Sequence, residues 1–530
     1  MKRKFFLTII WLTVLLFIST TGVFAIEGQA EVKLAEEQII VLGMKNADIG
    51  TVDPLAGVLV QDRPLMSHIF SGLVRYPEGN AASSDFVPDL AKSWELSEDK
   101  KTWTFYLREG VQWHWGYGEF TAEDVVFSYT RAKEGESSVY RTDYKNFEEI
   151  KALDKYTVQI TTTIPDPYLL NKVANYFGGY ITCKKIFEEV IGDGEIQPIK
   201  EQVVGSGPFK FLEYNPKDST VLVRNDEYWE GTPIIEELII KYIPTQEGLG
   251  TMLLSGEVDT CIGYHDEVWV NYMTATGIKL NPMNPPDLKA VYFNSNIKPF
   301  DQKIVREACA YAWGQQAVID MQGEEFSGKC VSPLPTGSTG HIDAGWARER
   351  DPEKARKLLA EAGYPDGITI SQEMTRGFWY LDKFIVYTDI GKEAGINLDL
   401  TLVEHSIYGE RALNKELPLV MWGSTAPTSV QWLRRFYHSD SIVDGQNFMS
   451  YSNPEVDRAI EIAETSFDEA EVLEALKKAQ LLIAEDLPSI PTVETYLPAL
   501  WQPWVDWGYE PIAELNMPPR ISVNTRILEH

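Results

Sequence analysis

The chain offers few of the residue arrangements on which enzymes and metal sites depend. Glycoside hydrolysis needs two carboxylates about 5–10 Å apart, and no pair among the 78 Asp and Glu residues is singled out by its spacing. The nucleophile pattern G-x-S-x-G and the zinc pattern H-E-x-x-H are both absent from the sequence. The seven histidines form no close pair. We therefore expect no enzymatic activity, no metal and no cofactor.

Aromatic side chains are the other chemically prominent group, with 15 Trp and 25 Tyr residues. Their flat, rigid rings with polar tips provide contact surfaces for sugars or peptide side chains. Because such rings also fill protein cores, only some of them are expected at a binding surface. The composition favours binding over catalysis.

The formal net charge of the chain is −30. A strongly acidic protein repels nucleic acids and anionic membrane surfaces, so neither is expected as a partner. The acidic residues are spread along the whole sequence, which is typical of a generally acidic, soluble surface.

The N-terminus has the three parts of a secretory signal peptide. Lys2, Arg3 and Lys4 are basic, the stretch 5–18 is almost wholly apolar, and small residues lead to Ala25. An uncleaved membrane anchor is the alternative, but the apolar run is shorter than the ~20 residues of a spanning helix. No Cys lies near the cleavage site, so the sequence does not predict a lipoprotein. We expect a mature protein in the periplasm or another extracytoplasmic space.

The four cysteines are Cys183, Cys261, Cys309 and Cys330. They lack C-x-x-C spacing, which argues against a zinc knuckle or a thioredoxin-like site. An oxidising compartment permits disulfides, and Cys309–Cys330 is the pair closest in sequence. The number and pairing of disulfides stay open.

Strand and helix patterns alternate along the chain, which predicts α/β layers with helices on the sheet faces. Gln38 to Met44 is typical of a buried strand, and Thr102 to Leu107 alternates as a half-buried one. Helices are predicted after three capping residues, Thr121, Asp351 and Asn453. In the segment VGSGP at 204–208 the glycines suit a tight strand entry, because glycine permits positive φ.

Six segments in order resemble the peptide-binding class of extracellular solute-binding proteins, family 5, which serve ABC importers. They run from Val87 to Tyr129, Val204 to Trp229, Ser255 to Asp259, Asn294 to Ala312, Tyr451 to Asp457 and Asp486 to Pro491. The first reads VPDLAKSWELSEDKKTWTFYLREGVQWHWGYGEFTAEDVVFSY and carries the clearest likeness. Most of these signature residues are expected to build the fold, with Trp94, Trp103 and Phe105 packing a small sheet.

The resemblance implies a two-lobed periplasmic-binding-protein fold with a hinge, plus an additional α+β domain inserted in the first lobe. A ligand would lie between the lobes, which close on it. The implied divisions are 1–25 for the signal peptide, 26–74, 199–290 and 500–530 for lobe one, 75–198 for the second domain, and 291–498 for lobe two.

The resemblance also indicates where a ligand would bind. Peptide-binding relatives carry a Trp in lobe two followed shortly by an Asp, whose carboxylate pairs with the peptide's α-amino group. Trp422 matches the Trp, but Ser424 and Thr425 stand near the position of the missing Asp. Burying an ammonium without a counter-charge is costly, whereas hydroxyl groups beside a Trp suit a sugar.

Further binding residues are expected where aromatic rings could reach the cleft. Trp113 and Trp115 replace a short acidic turn of the family pattern and could form an aromatic wall. The other residues predicted at or near the cleft are Trp379, Tyr380, Trp432, Tyr264 and His265.

The resemblance thus implies the substrate-binding component of an ABC importer, a monomer that delivers its ligand to a membrane permease. The expected ligand is an oligopeptide, with an oligosaccharide as a nearly equal alternative. Relatives of the family bind nickel or haem, and a secreted carbohydrate-active enzyme would also explain the signal peptide and the Trp content. Both of these are remote alternatives.

Overall fold

The structure is a computed structural model that describes residues 33–46, 48–56, 62–81, 85–174, 178–264, 266–375, 380–424, 426, 428–512 and 518–530. The predicted signal peptide at 1–25 lies outside these residues. Within them, no helix combines the length and the apolar character needed to cross a bilayer.

The elements of the described residues follow one another as the alternating sequence pattern predicts. In chain order the strands are β1 (Ile39–Met44), β2 (Val74–Arg75), β3 (Val87–Pro88), β4 (Ala91–Leu96), β5 (Thr102–Leu107), β6 (Phe147–Asp154), β7 (Thr157–Thr162), β8 (Phe209–Asn215), β9 (Ser219–Arg224), β10 (Glu237–Tyr242), β11 (Thr260–Ile262), β12 (Lys279–Phe293), β13 (Ser327–Gly328), β14 (Ile368–Thr375), β15 (Ile396–Val403), β16 (Leu419–Ser424), β17 (Ser489–Trp501), β18 (Val505–Asp506) and β19 (Arg526–Ile527). The helices are α1 (Arg63–Ile69), α2 (Ala122–Glu134), α3 (Arg141–Tyr144), α4 (Leu169–Lys172), α5 (Lys184–Ile186), α6 (Gln246–Ser255), α7 (Glu267–Ala275), α8 (Lys303–Trp313), α9 (Gln316–Gln322), α10 (Pro352–Glu361), α11 (Tyr380–Glu393), α12 (His405–Leu413), α13 (Ser429–Tyr437), α14 (Ser441–Asp444), α15 (Pro454–Thr465) and α16 (Glu469–Asp486).

Three helices begin where the capping residues predicted. The backbone N–H of Thr121 donates to the Asp124 carboxylate at 2.9 Å, within a capping box at the start of α2. Asp351 accepts from the backbone N–H of Lys354, three residues into α10. Asn453 caps α15 through the N–H of Glu455. Each side chain satisfies backbone donors that the first helical turn leaves without partners.

One large sheet runs through both lobes in the order β16-β12-β17-β11-β1-β10-β9-β8, with β13 on β17. β1 lies parallel to β10 and β11, while the long strands β12 and β17 pair antiparallel along most of their length. Their register shifts between Met283 and Asp287. The first part of β12, Lys279–Met283, pairs with β17, and the part from Leu288 to Phe293 pairs with β16 as well.

The inserted domain is built on a four-stranded antiparallel sheet, β4-β5-β7-β6, with α2 packed on it. Trp103 and Phe105 of β5 are buried there with stacked rings 6.4 Å apart, and Trp94 packs against the same core. The prediction that these residues build a small sheet is confirmed. This core is continuous with that of lobe one, whereas lobe two has its own core around the parallel pair β14 and β15.

The glycines of segment 204–208 are needed for a reason other than the one predicted. Neither Gly205 nor Gly207 has positive φ. Instead, both backbones press on the end of α1: a Cβ at Gly205 would lie 1.9 Å from the carbonyl oxygen of Ile69. His114 clamps the segment, accepting from the N–H of Gly205 at 3.3 Å and bonding the Gly207 carbonyl at 2.9 Å. Close packing, not backbone conformation, requires glycine here.

The disulfides that the sequence left open are absent. All four cysteines are buried and free, Cys309 and Cys330 included. Cys309 lies on α8 and Cys330 follows β13, and each is enclosed in the core of lobe two. Burial raises the pKa of the Cys183 and Cys261 thiols to about 12, which keeps them protonated and unreactive.

Replacing Glu494 with glutamine is expected to stabilise the protein at pH 8. Glu494 is buried on β17, accepts the backbone N–H of Thr336 at 2.7 Å, and burial raises its pKa to about 7. Between pH 4.5 and 7 the folded state keeps a proton that the unfolded state releases, so stability falls as pH rises through this window. Above pH 7 the ionised Glu494 carboxylate lowers the free energy of unfolding by about 3 kcal/mol.

Urea unfolding at pH 5 and pH 8 measures this effect. E494Q should raise the free energy of unfolding at pH 8 and leave it nearly unchanged at pH 5. The control E485Q lies at an exposed position and should leave the free energy of unfolding unchanged at both pH values. A gain of the same size at both pH values would contradict the assignment.

Candidate functional site

A large cleft lies between the lobes, with a volume of about 2420 Å³. Its floor is formed where β1, β11, β12 and β16 end or cross, its walls by the inserted domain on one side and lobe two on the other. A ligand in the cleft would therefore touch all three parts of the molecule. Domain interfaces of this kind are the usual place for small-molecule sites.

Trp422 provides an aromatic surface in the cleft, as the sequence predicted. It lies half-buried on β16, with its ring 5.4 Å from that of Phe448, and lines the cleft. β16 pairs with β12, so that Ala290 stands opposite Trp422 and Lys289 opposite Gly423. Both Trp422 and Lys289 line the cleft.

Tyr264 is the second predicted residue that lines the cleft. It follows β11, packs edge-on against Trp269 at 6.0 Å, and lies under Lys45, whose ammonium is 5.0 Å from the ring centre. Lys45 directly follows β1 and donates to the carbonyl of Gly263 at 2.7 Å. Burial lowers the pKa of Lys45 to about 8.

Two further lysines face the cleft floor. Lys289, on β12, is fully buried and forms an ion pair with Asp287. Lys383, on α11, is buried as well, and burial lowers its pKa to about 8. The pKa of Lys289 is lowered further, first by burial and then by the charges of Lys383 and Lys45. The three ammonium groups therefore form one cluster.

The outer cleft is bordered by polar groups of the inserted domain and lobe two. Asp143 and Tyr168 approach from the inserted domain, and Arg435 at the end of α13 approaches from lobe two. The charges of Asp143 and Arg435 interact across the cleft. Tyr168 packs against the core of lobe two. The lobes are thus in contact around the cleft.

Three predicted binding residues do not line the cleft. Trp113 is buried in the inserted domain against Phe120, with centroids 6.0 Å apart. Trp115 lies beneath the ammonium of Lys200, 4.1 Å from the ring centre. Trp432 is buried in lobe two and donates to the Pro333 carbonyl at 2.7 Å. The expected aromatic wall is not formed by Trp113 and Trp115, because both rings complete local packing instead.

Five other predicted residues lie wholly or by their side chains outside the described part of the chain. Thr425, Trp379 and His265 lie outside the described residues. Ser424 ends β16 and Tyr380 begins α11, and only their backbone is described. The prediction of hydroxyl groups beside Trp422 therefore stays a prediction.

The three lysines were not predicted from the sequence, although two of them carry a recognisable signal. Lys289 interrupts the apolar strand LKAVYF. A charged residue inside a buried apolar run is uncommon and indicates a specific role. Lys45 follows β1 immediately, and the carboxyl ends of parallel strands commonly carry ligand contacts. Lys383 has no comparable signal, because its helix shows an ordinary mixed pattern. Among the described residues no group of three or more His, Cys, Asp and Glu side chains could hold a metal.

Comparison with known proteins agrees with this geometry. The family described as bacterial extracellular solute-binding proteins, family 5 Middle, matches residues 85–442. The binding protein MoaA from A. tumefacien R10, solved in complex with mannopinic acid, has a TM-score of 0.83 and 31% identity, covering 93% of this chain and 100% of that one.

Two curated relatives are similar over most of their length. The dipeptide-binding protein of Escherichia coli K12 is 27% identical over 80% of this chain and 83% of its own. The heme-binding protein A of Haemophilus influenzae is 25% identical over 81% of this chain and 82% of its own. These matches confirm the two-lobed binding-protein fold. The chain belongs to the bacterial extracellular solute-binding proteins of family 5.

Proposed function

We propose that this protein is the substrate-binding component of an ABC importer and captures a short peptide or a peptide-like solute between its lobes. The cleft carries this proposal. Its volume of about 2420 Å³ exceeds the ~300–1,000 Å³ of sites for drug-sized ligands. A solute of several residues could be enclosed there and handed to a permease outside the cytoplasm.

Closure would be a hinge motion. The proposed moving bodies are residues 291–498 on one side, and 26–74, 199–290 and 500–530 together with the inserted domain 75–198 on the other. The pairing of β12 with β17 shifts in register between Met283 and Asp287. This shift supports a bend in β12 close to residue 291, where the first of the two moving bodies begins. Glu267 of α7 already lies against Gly323 at the end of α9, across the cleft.

The name of the Escherichia coli relative supports a peptide ligand. The names of the three relatives mention a dipeptide, heme and mannopinic acid, and none of them mentions an oligosaccharide. A second candidate is therefore a small organic acid of the kind that MoaA binds, favoured by its 31% identity to this chain. The missing Asp near Trp422 supports a ligand without the usual free peptide amino group at that place.

A thermal-shift screen of the mature protein tests the proposal. The panel contains pooled di- to pentapeptides, carboxylated amino-acid derivatives, neutral oligosaccharides and nickel. A ligand at about 100 times its Kd adds about 2.7 kcal/mol to folded-state stability, which a melting curve resolves. Stabilisation by peptides or amino-acid derivatives is the expected result; stabilisation by nickel alone, or by no solute, would contradict the proposal.

Replacing Trp422 with alanine is expected to weaken binding of the stabilising pool about 10- to 100-fold, because a buried aromatic contact is a typical binding hot spot. Titration calorimetry measures the change. The matched control is W115F, since Trp115 does not line the cleft and its ring is expected to play no part in binding. Equal losses in both variants would mean that Trp422 acts on folding and not on the ligand.

A further inference from the structure

We propose that Phe326 anchors lobe two to lobe one, and that the segment 323–328 around it, which we call the anchor segment, is a third connection at the hinge beside β12 and β17. This inference rests on the proposed function and on the proposed division into lobes. It goes beyond both, because it assigns to one buried side chain the control of how widely the cleft opens.

The chain leaves the core of lobe two and returns to it between Ile319 and Cys330. Ile319 on α9 and Cys330 after β13 are both buried in that core. Phe326 lies between them and is also fully buried, but in a separate apolar cluster with residues of α6, α7 and β11. Within the described residues, every other buried member of this cluster belongs to the proposed lobe one. A side chain from the sequence of lobe two therefore completes a core of lobe one.

The backbone of the anchor segment is fixed to β17, the strand that crosses between the lobes. The carbonyl of Phe326 accepts from the N–H of Tyr496 at 2.9 Å, and β13, which follows directly, pairs with β17 as well. The last residues of β17 pair with β11 of lobe one. The register of β17 against β12 shifts at Tyr496, between Met283 and Asp287 of β12. The anchor segment thus lies beside the proposed bend, where the sheet passes from one lobe to the other.

Gly323 brings the start of the anchor segment against lobe one. It follows α9 with a φ of 94°, in the left-handed region that favours glycine. A Cβ there would lie 1.9 Å from a carboxylate oxygen and 2.7 Å from the Cβ of Glu267 on α7, so the close approach also requires glycine. The same helix shares the cluster of Phe326 through Val270 and Met273. Both ends of the stretch from 323 to 326 therefore meet α7.

The burial of Phe326 keeps the anchor segment on lobe one when the lobes move apart. Exposing a buried phenylalanine side chain to water is unfavourable, so an opening motion that leaves the ring in its core is preferred. The bending is then taken up on the two sides of Phe326, between Ile319 and Cys330. A lobe tied at three points has fewer open arrangements than a lobe tied at two. The anchor therefore holds the ligand-free protein close to the arrangement that closes, which preorganises the cleft.

Distances between spin labels on the two lobes of the ligand-free mature protein test the anchor. The labels are attached at Glu213→Cys on β8 of lobe one and Lys477→Cys on α16 of lobe two, both at exposed positions. The four natural cysteines are buried and stay unlabelled. In Phe326→Ala the distribution of label distances should be about 2-fold wider than in the wild type. Phe326→Val keeps part of the apolar contact, costs less stability and should give an intermediate width.

The matched control is Phe300→Ala. Phe300 is as fully buried as Phe326 but lies in the core of lobe two alone. Both alanine variants should have lower melting temperatures, because each creates a cavity, and only Phe326→Ala should widen the distribution. A wild-type width in both Phe326 variants, or the same widening in Phe300→Ala, would overturn the anchor.

Binding measurements separate this inference from the importer function. Calorimetry with the pool of di- to pentapeptides should show binding about 3- to 10-fold weaker in Phe326→Ala than in the wild type, because the variant spends less time in the arrangement that closes. Phe300→Ala should bind as the wild type does. A wild type that binds no solute of the panel would contradict the importer function, while the label distances, which need no ligand, still decide on the anchor. Unchanged label distances in the Phe326 variants would overturn the anchor and leave the binding function standing.

Discussion

Replacing Asp53 with alanine is expected to lower the free energy of unfolding by about 3–5 kcal/mol. Asp53 is fully buried in lobe one and accepts four hydrogen bonds. Two come from the guanidinium of Arg131 on α2, one of them at 3.0 Å, and two from the backbone N–H groups of Leu55 and Ile196, each at 3.0 Å. The variant leaves a largely buried guanidinium without its carboxylate, together with two backbone donors.

Chemical denaturation of D53A measures this loss, and the double variant D53A/R131M tests its cause. If the stranded charge of Arg131 dominates, the double variant should be more stable than D53A, because an apolar side chain removes the unpaired cation. D389A is the control, since Asp389 forms an exposed ion pair with Lys392 of the kind that contributes about 0–1 kcal/mol. Equal losses in D53A and D389A would refute the assignment.

Gly205→Ala is expected to destabilise the protein by about 3 kcal/mol or more, at the upper end of the range for overpacking. The new Cβ would stand 1.9 Å from the Ile69 carbonyl oxygen, so α1 and the segment must separate. That movement also breaks the bonds of His114 to Gly205 and Gly207. We expect a lower melting temperature and weaker contact between the inserted domain and lobe one.

The control for this substitution is Gly409→Ala. Gly409 lies within α12, and a Cβ there meets no atom within 4 Å. Alanine should be neutral or stabilise the helix by up to about 1 kcal/mol. If G205A melts at the wild-type temperature, the close contact with Ile69 does not determine the choice of glycine.

Local patterns were sufficient to predict much of the fold. The caps at Thr121, Asp351 and Asn453 begin helices as expected, because capping depends on residues within one turn. The site was harder to predict. Trp113 and Trp432 proved to be core residues, and a Trp count does not distinguish a ring that binds ligand from one that fills a core.

The lysine cluster could not be predicted because its members are far apart in sequence. Lys45 and Lys383 become neighbours only when β1 and α11 take their places on the two sides of the cleft. A sequence pattern covers only a few neighbouring residues, so it contains no information on contacts between residues that are distant in sequence. The close packing of Gly205 on Ile69 was missed for the same reason.

The residues just before β1 lie beside β19 in lobe one, and this has a consequence for the order of folding. Leu34 bridges to Leu528, and the amide of Gln38 bonds the backbone of Ile527 across 489 positions. Contacts this distant in sequence form slowly and late. In the proposed division lobe two is one continuous stretch, whose contacts can form without the last residues, whereas the residues before β1 cannot be held until 527 and 528 are in place. The start of β1 is therefore among the last parts of lobe one to be fixed.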